Sequence, residues 1–190
     1  GNGFVDALAE SPNTTPDAIT LHAALAGFLE QGATACAMEV SSIGLDQGRV
    51  NGVAFDVAVF TNLTRDHLEY HGTMEAYAAA KETLFAMPGL GAAVINLDDA
   101  FGVALAHRLR GRLPVLGYTL GTGAAGTDEV LRAENLRMGA AGIEFELNGA
   151  TLATLLVGRF NASNLLAVAG ALLTRGESLE AIATALRALH

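Results

Sequence analysis

Lysine occurs once in this chain of 190 residues, at Lys81, in the context AAAKET. The spacing around it predicts a helix from about Thr73 to Met87, with Met74, Tyr77, Ala78, Leu84 and Phe85 on one apolar face. Lys81 falls inside that stripe. An inward lysine needs a partner or a lowered pKa. A neutral amine can add carbon dioxide, lose a proton and become a carbamate, which offers a metal two anionic oxygens. The plainer reading is a lysine whose stem lies along apolar surface while its head stays wet.

Glu39 closes the apolar run ATACAMEV (33–40), and Thr61, Asn62, Asp66 and His67 follow the run FDVAVFTNL (55–63). If both runs are parallel strands, their C-terminal ends face the crevice where open α/β sheets bind ligands. Glu39 and His67 would then converge, and a carboxylate beside an imidazole can hold a divalent cation and a polyphosphate. The alternative is a turn-capping Glu39 and an ordinary surface His67. Asp66, His67 and His71 also spell D-H-x-x-x-H, a loose likeness to a metallohydrolase cluster that would need further ligands. Asn161 and Asn164, in GRFNASNLLA, sit where a helix should begin. Their amides could read a purine edge or simply cap the helix.

These residues need elements to hold them. Thr15-Pro16-Asp17 reads as a helix start, with Thr15 as the N-cap and Gly32 as the stop. ATACAMEV, FDVAVFTNL, AAVINL (92–97) and LPVLGY (113–118) read as buried strands, with helices from about Thr73 to Met87 and from about Asp98 to Leu109 between them. Such alternation implies a parallel sheet covered by helices. Beyond the Gly121 loop, VLRAENLRM, GIEFELNG and ATLATLLVG read as a small antiparallel sheet, with Asn148-Gly149 as a hairpin turn. Two helices follow, about 162–174 and 178–189. The expected fold class is therefore α/β: a mostly parallel sheet flanked by helices, with a small antiparallel subsheet.

Composition narrows the functional classes. Half the chain is apolar and the net charge is −9, so an extended nucleic-acid surface is excluded. The single cysteine, Cys36, permits no disulfide framework and suits a reducing compartment. No apolar run approaches the roughly 18 residues of a membrane span, and the N-terminus lacks the pattern of a secretory signal. A cytoplasmic location is expected. With Lys81 as the only lysine, the chain holds no G-x-x-x-x-G-K-[ST] phosphate loop.

Four stretches carry a resemblance: CAMEVSSIGLDQGRV, FDVAVFTNLTRDHLEYHGTMEAYAAAKETLF, AAVINLDD and GRFNASNLLAVAGALL. Together they resemble the central, ATP-binding domain of the Mur ligases, and within that family the UDP-N-acetylmuramoyl-tripeptide synthetases. The resemblance runs from Gly1 to His190. It implies a P-loop-NTPase-like domain lacking its phosphate loop, with a parallel part at 1–120, an antiparallel subsheet at 121–160 and closing helices at 161–190. N- and C-terminal domains would lie outside the chain. Ile43 stands where the family commonly has a histidine.

The resemblance also implies roles. Glu39 matches a ligand of the magnesium that bridges the ATP phosphates. His67 matches a ligand of a second magnesium, and Lys81 the lysine that supports it as a carbamate. Asn161 and Asn164 match the pair near adenine. Asn13, Thr14, Thr15, Ser41, Gln47 and Arg49 match contacts to the UDP-muramoyl substrate. The implied activity transfers the γ-phosphoryl group of ATP to the terminal carboxylate of UDP-N-acetylmuramoyl-L-alanyl-D-glutamate. The amine of meso-diaminopimelate or L-lysine then attacks the acyl phosphate. The chain by itself is expected to be inactive. Two rivals share much of this pattern: a sister ligase (the next Mur enzyme, a folylpolyglutamate or a cyanophycin-type synthetase), and a non-catalytic nucleotide-binding module. The N-T-T-P segment and S-S-I-G-L-D-Q-G-R-V favour the tripeptide enzyme.

Overall fold

A computed structural model describes residues 2–4, 7–8, 13–122 and 127–189. Part of the predicted Gly121 loop (123–126) and the last residue, 190, lie outside the described residues. The chain divides into two compact units, Gly1–Ala54 with Arg65–Met87, and Phe55–Thr64 with Pro88–His190.

Four α-helices are described in the first unit. Helix α1 spans Ala18–Glu30, α2 Ser42–Asp46, α3 Leu68–His71 and α4 Met74–Glu82, with a 3-10 turn at Thr83–Ala86. The cap of α1 differs from expectation. Asp17, not Thr15, is the N-cap, and its carboxylate accepts from the Thr20 amide at 3.0 Å and the Thr20 hydroxyl at 2.6 Å. The Thr20 hydroxyl, and after it the Thr20 amide, hold the Asp17 carboxyl below its ordinary value. Thr15 is instead buried, with its hydroxyl committed elsewhere. The run 33–40 also departs from the reading. It is not a strand, because no described residue pairs with it, and Thr34, Ala35, Cys36, Ala37 and Glu39 are exposed. An apolar composition suits a segment to a sheet, but only a partner's backbone makes it one.

The second unit holds a four-stranded parallel sheet in the order β1-β2-β3-β4, from Val57–Phe60, Ala92–Asn96, Val115–Thr119 and Glu129–Arg132. Strand β2 (AAVIN) is buried along its whole length, as a strand covered on both faces should be. Helix α5, Ala100–Leu109, connects β2 to β3 and packs against both. It comes so close to β2 that any Cβ on Gly102 would overlap the Asn96 carbonyl, so only glycine fits there.

A three-stranded antiparallel sheet follows: β5 (Glu134–Gly139), β6 (Gly142–Leu147) and β7 (Ala150–Thr154). The predicted run VLRAENLRM therefore splits. Its first part is β4, which extends the parallel sheet, and its second part begins the antiparallel one. Leu131 points into the parallel unit's core while β5 is largely exposed, so one sequence run serves two surfaces. The Asn148-Gly149 turn forms as expected, with both residues at positive φ (49° and 83°) and Leu147 opposite Ala150. Helices α6 (Arg159–Thr174) and α7 (Leu179–Arg187) close the unit. Val94, Tyr118, Leu131, Phe145, Leu152, Leu166 and Ile182 share one buried cluster. That core locks α6 onto the sheets, with about 1.5–3 kcal/mol contributed by each large apolar side chain.

Candidate functional site

In the first unit, α4 carries Tyr77 and Lys81 one turn apart, so both side chains lie on one face. The Lys81 Nζ sits 5.1 Å from the centre of the Tyr77 ring. The His71 ring stacks on the same tyrosine at 5.3 Å, and the His67 ring meets it edge-on at 5.9 Å. Tyr77 is 5% exposed. Burial, and after it the Asp66 carboxylate, raises its pKa above the ordinary phenol value. His67 and Lys81 thus both meet a tyrosine whose helical spacing assigns it only to an apolar face. Its position four before Lys81 was the available signal.

His67 is unusual in its backbone. It takes a left-handed conformation (φ 53°) at the N-cap of α3, and its amide donates to the Asp66 carboxylate at 2.8 Å. A histidine in that region is sparsely populated, and such strain concentrates at functional sites. Asp66 and Glu69 carboxylates lie 3.7 and 3.8 Å from its ring nitrogens.

Beside it runs a hydrogen-bonded cluster built on Thr15. The Thr15 hydroxyl donates to the Glu39 carbonyl at 3.1 Å and accepts from the Ser41 amide at 2.9 Å. The Thr15 carbonyl accepts from Arg49 Nη1 at 2.8 Å. Arg49 also donates through Nε and Nη2 to the Gln47 Oε1, at 2.9 and 2.6 Å. Ser41 caps α2 by accepting from the Gly44 amide at 3.0 Å. Four predicted substrate residues, Thr15, Ser41, Gln47 and Arg49, are therefore one connected group, with Glu39 attached through its backbone. Asn13 and Thr14 are exposed just before it. Ser42, which no motif singles out, bonds His71 Nε2 through its hydroxyl at 3.0 Å, joining the start of α2 to the tyrosine cluster.

Among the described residues, no group of three or more His, Cys, Asp and Glu side chains could hold a metal. A metallohydrolase built on Asp66, His67 and His71 therefore lacks its ligand set there. The Glu39 carboxylate is exposed and the His67 imidazole half-buried, so each side chain keeps a donor that a ligand could reach. Magnesium takes one or two protein ligands and fills its remaining positions with phosphate oxygens and water.

In the second unit, the C-terminal ends of β1, β2 and β3 and the start of α6 enclose a cavity of about 220 Å³. Thr61, Asn62, Asn96, Asp98, Arg159 and Asn164 are among its lining residues. This is the position where open α/β sheets bind ligands. Asn164 faces the cavity. Asn161 does not line it and instead donates to the Val157 carbonyl at 2.9 Å, steadying the first turn of α6. A second cavity, about 570 Å³, lies against the β5–β6 hairpin and Arg187 and contains none of the predicted site residues.

The Mur ligase middle domain model matches residues 2–172. The chain is 51% identical over 183 residues to the UDP-N-acetylmuramoyl-L-alanyl-D-glutamate–2,6-diaminopimelate ligase of Ralstonia nicotianae, covering 93% of this chain and 36% of that protein. It is 52% identical over 183 residues to the enzyme of the same name from Pseudomonas aeruginosa, covering 94% and 37%. A solved structure of a ligase with that name superposes with a TM-score of 0.85 at 39% identity, covering 98% of this chain and 38% of that one. A MurF from Acinetobacter baumannii shares the fold at 20% identity, with a TM-score of 0.59 over 71% of this chain and 29% of that one. The chain thus spans little more than a third of the length of these curated relatives, and it belongs to the Mur ligase family as a middle domain.

Proposed function

We propose that this domain serves an ATP-dependent ligase that adds 2,6-diaminopimelate to UDP-N-acetylmuramoyl-L-alanyl-D-glutamate in peptidoglycan synthesis. The observation that carries this reading is the meeting of His67 and Lys81 on one Tyr77 ring, next to the Thr15–Ser41–Arg49 cluster. The names of the relatives support the substrate and the amino acid. The whole reaction belongs to the complete enzyme, with N- and C-terminal domains.

Each group has a task. Glu39 and His67 would hold two magnesium ions, with Lys81 as a carbamate supporting the second. When bound, magnesium neutralises charge on the γ-phosphoryl group, the main task in phosphoryl transfer. Carbamylation turns Lys81 from a cation that repels the metal into an anion that attracts it. Arg49, pinned by Gln47 and the Thr15 carbonyl, presents a preoriented guanidinium to the UDP-linked substrate, and Asn13, Thr14 and Ser41 add polar contacts. Asn164 offers a paired donor and acceptor to the adenine edge, and Asn161 holds the helix start that presents it. The γ-phosphoryl group passes from ATP to the terminal glutamate carboxylate, and ADP leaves. The amine of the incoming amino acid attacks the resulting acyl phosphate, phosphate leaves, and an amide remains.

The test uses the full-length enzyme with 13C-bicarbonate. A carbamate carbon signal that disappears in Lys81→Arg, together with a loss of amide formation of about 10²–10³-fold, is expected. Wild-type activity in Lys81→Arg, with no labelled carbon on the native protein, overturns the assignment.

A further inference from the structure

We propose that Asn96 and Asp99 are positioning residues that set Asn62 into the second unit's cavity as an additional contact for the nucleotide. This rests on the reading of that cavity as the nucleotide site.

Asn62 is held from both sides. On one side, the Asn96 Nδ2 donates to the Thr61 carbonyl at 2.6 Å. On the other, the Leu63 amide donates to the Asp99 Oδ2 at 2.9 Å. Each clamp is itself fixed. Asn96 is 8% exposed at the end of β2, and its Oδ1 accepts from the Asp98 amide at 2.9 Å. Asp99 is the N-cap of α5, and its Oδ1 accepts from the Phe101 and Gly102 amides at 2.8 and 3.1 Å. The loop after β1 thus has its backbone anchored at 61 and at 63, while residue 62 between them lines the cavity beside Asn164. Fixing a side chain's backbone on both flanks lowers the entropy it must lose on meeting a ligand. A loop with free flanks would present the same amide at many angles.

Asp99 divides its two oxygens between two jobs, which makes a selective variant available. Asp99→Asn keeps one oxygen for the α5 cap. Its amide nitrogen then faces the Leu63 N–H, donor against donor, and that clamp opens. The test measures steady-state kinetics and thermal unfolding of the full-length ligase. Asp99→Asn and Asn62→Ala should each raise KM for ATP about tenfold, the worth of one good hydrogen bond, with KM for the UDP-linked substrate unchanged. Because Asp99 acts through Asn62, the double variant should be no worse than Asn62→Ala alone. Additive losses, or an unchanged KM for ATP in either single variant, overturn the proposal. Asn164→Ala separates this from the parent reading. If Asn164→Ala raises KM for ATP while Asn62→Ala and Asp99→Asn do not, only the positioning role falls. If Asn164→Ala also leaves it unchanged, the cavity is not the nucleotide site and both fall.

Discussion

Lys81 and Tyr77 are joined by a contact of 5.1 Å between the lysine nitrogen and the ring centre, one helical turn apart on α4. The ring does two things. It gives the Lys81 side chain a buried aromatic neighbour to lie against, and it packs against His67 and His71 as well.

The ring, not the phenol hydroxyl, is the part that matters in this contact. Tyr77→Phe in the full-length enzyme should keep amide formation within about threefold, since the face seen by Lys81 and His71 survives. Tyr77→Leu should lower it by tenfold or more, because no planar surface remains to hold the amine and both imidazoles. Equal losses in the two variants would move the importance to the hydroxyl. Single-turnover kinetics at saturating substrates is the measurement.

Arg49 reaches two partners with one rigid fork, taking Gln47 through Nε and Nη2 and the Thr15 carbonyl through Nη1. Lysine has the charge without the fork. Arg49→Lys should raise KM for the UDP-linked substrate about tenfold, the scale of a charge-assisted hydrogen bond, and leave KM for ATP alone. A rise in both constants would argue that Arg49 holds the unit together more than it reads a substrate.

Alkaline stability should report on Tyr118. It is fully buried, and its hydroxyl donates to the Phe60 carbonyl at 3.3 Å. Burial pushes its pKa far above the ordinary value of 10.0; a hydrogen bond with Ser163 pulls it back, and the Asp98 and Asp99 carboxylates push the same way as burial. The unfolded chain therefore releases this proton at a pH where the folded chain keeps it. Stability is fully present below pH 10.0 and falls as the pH rises beyond it. Thermal unfolding of the wild type should show that decline, and Tyr118→Phe should flatten it. An identical slope in both would assign the decline to other groups.

The parallel sheet was legible because its strands are short apolar runs separated by helical spacing, and Asn148-Gly149 announced its hairpin through backbone chemistry alone. What sequence could not show was pairing. The 33–40 run has a strand's composition and no described partner, while VLRAENLRM is one run whose halves join different sheets. Side-chain destinations were equally hidden. Thr15 has a cap's chemistry and position, yet its hydroxyl goes to residues 24 and 26 places away. Of the candidate site, the reactive types could be named from motif and resemblance. Tyr77, Ser42, Asn96 and Asp99 could not, because each acts by what it touches.

His67 offers a way to separate fold from chemistry. Its left-handed backbone (φ 53°) costs a β-carbon residue about 1–2 kcal/mol, and asparagine tolerates that region better than most. His67→Asn should therefore fold at least as well as the wild type, less whatever the edge contact with Tyr77 contributes, so the thermal midpoint should move by only a few degrees. Ligase activity should nevertheless fall by about 10²-fold or more, since the shorter asparagine side chain would not place its donor where the imidazole nitrogen would hold magnesium. Ligase kinetics and isothermal titration with the magnesium–nucleotide complex, run beside thermal unfolding, check both halves. A variant that stays folded and binds the complex as tightly as the wild type would remove His67 from the metal set and leave its strained backbone without a chemical purpose.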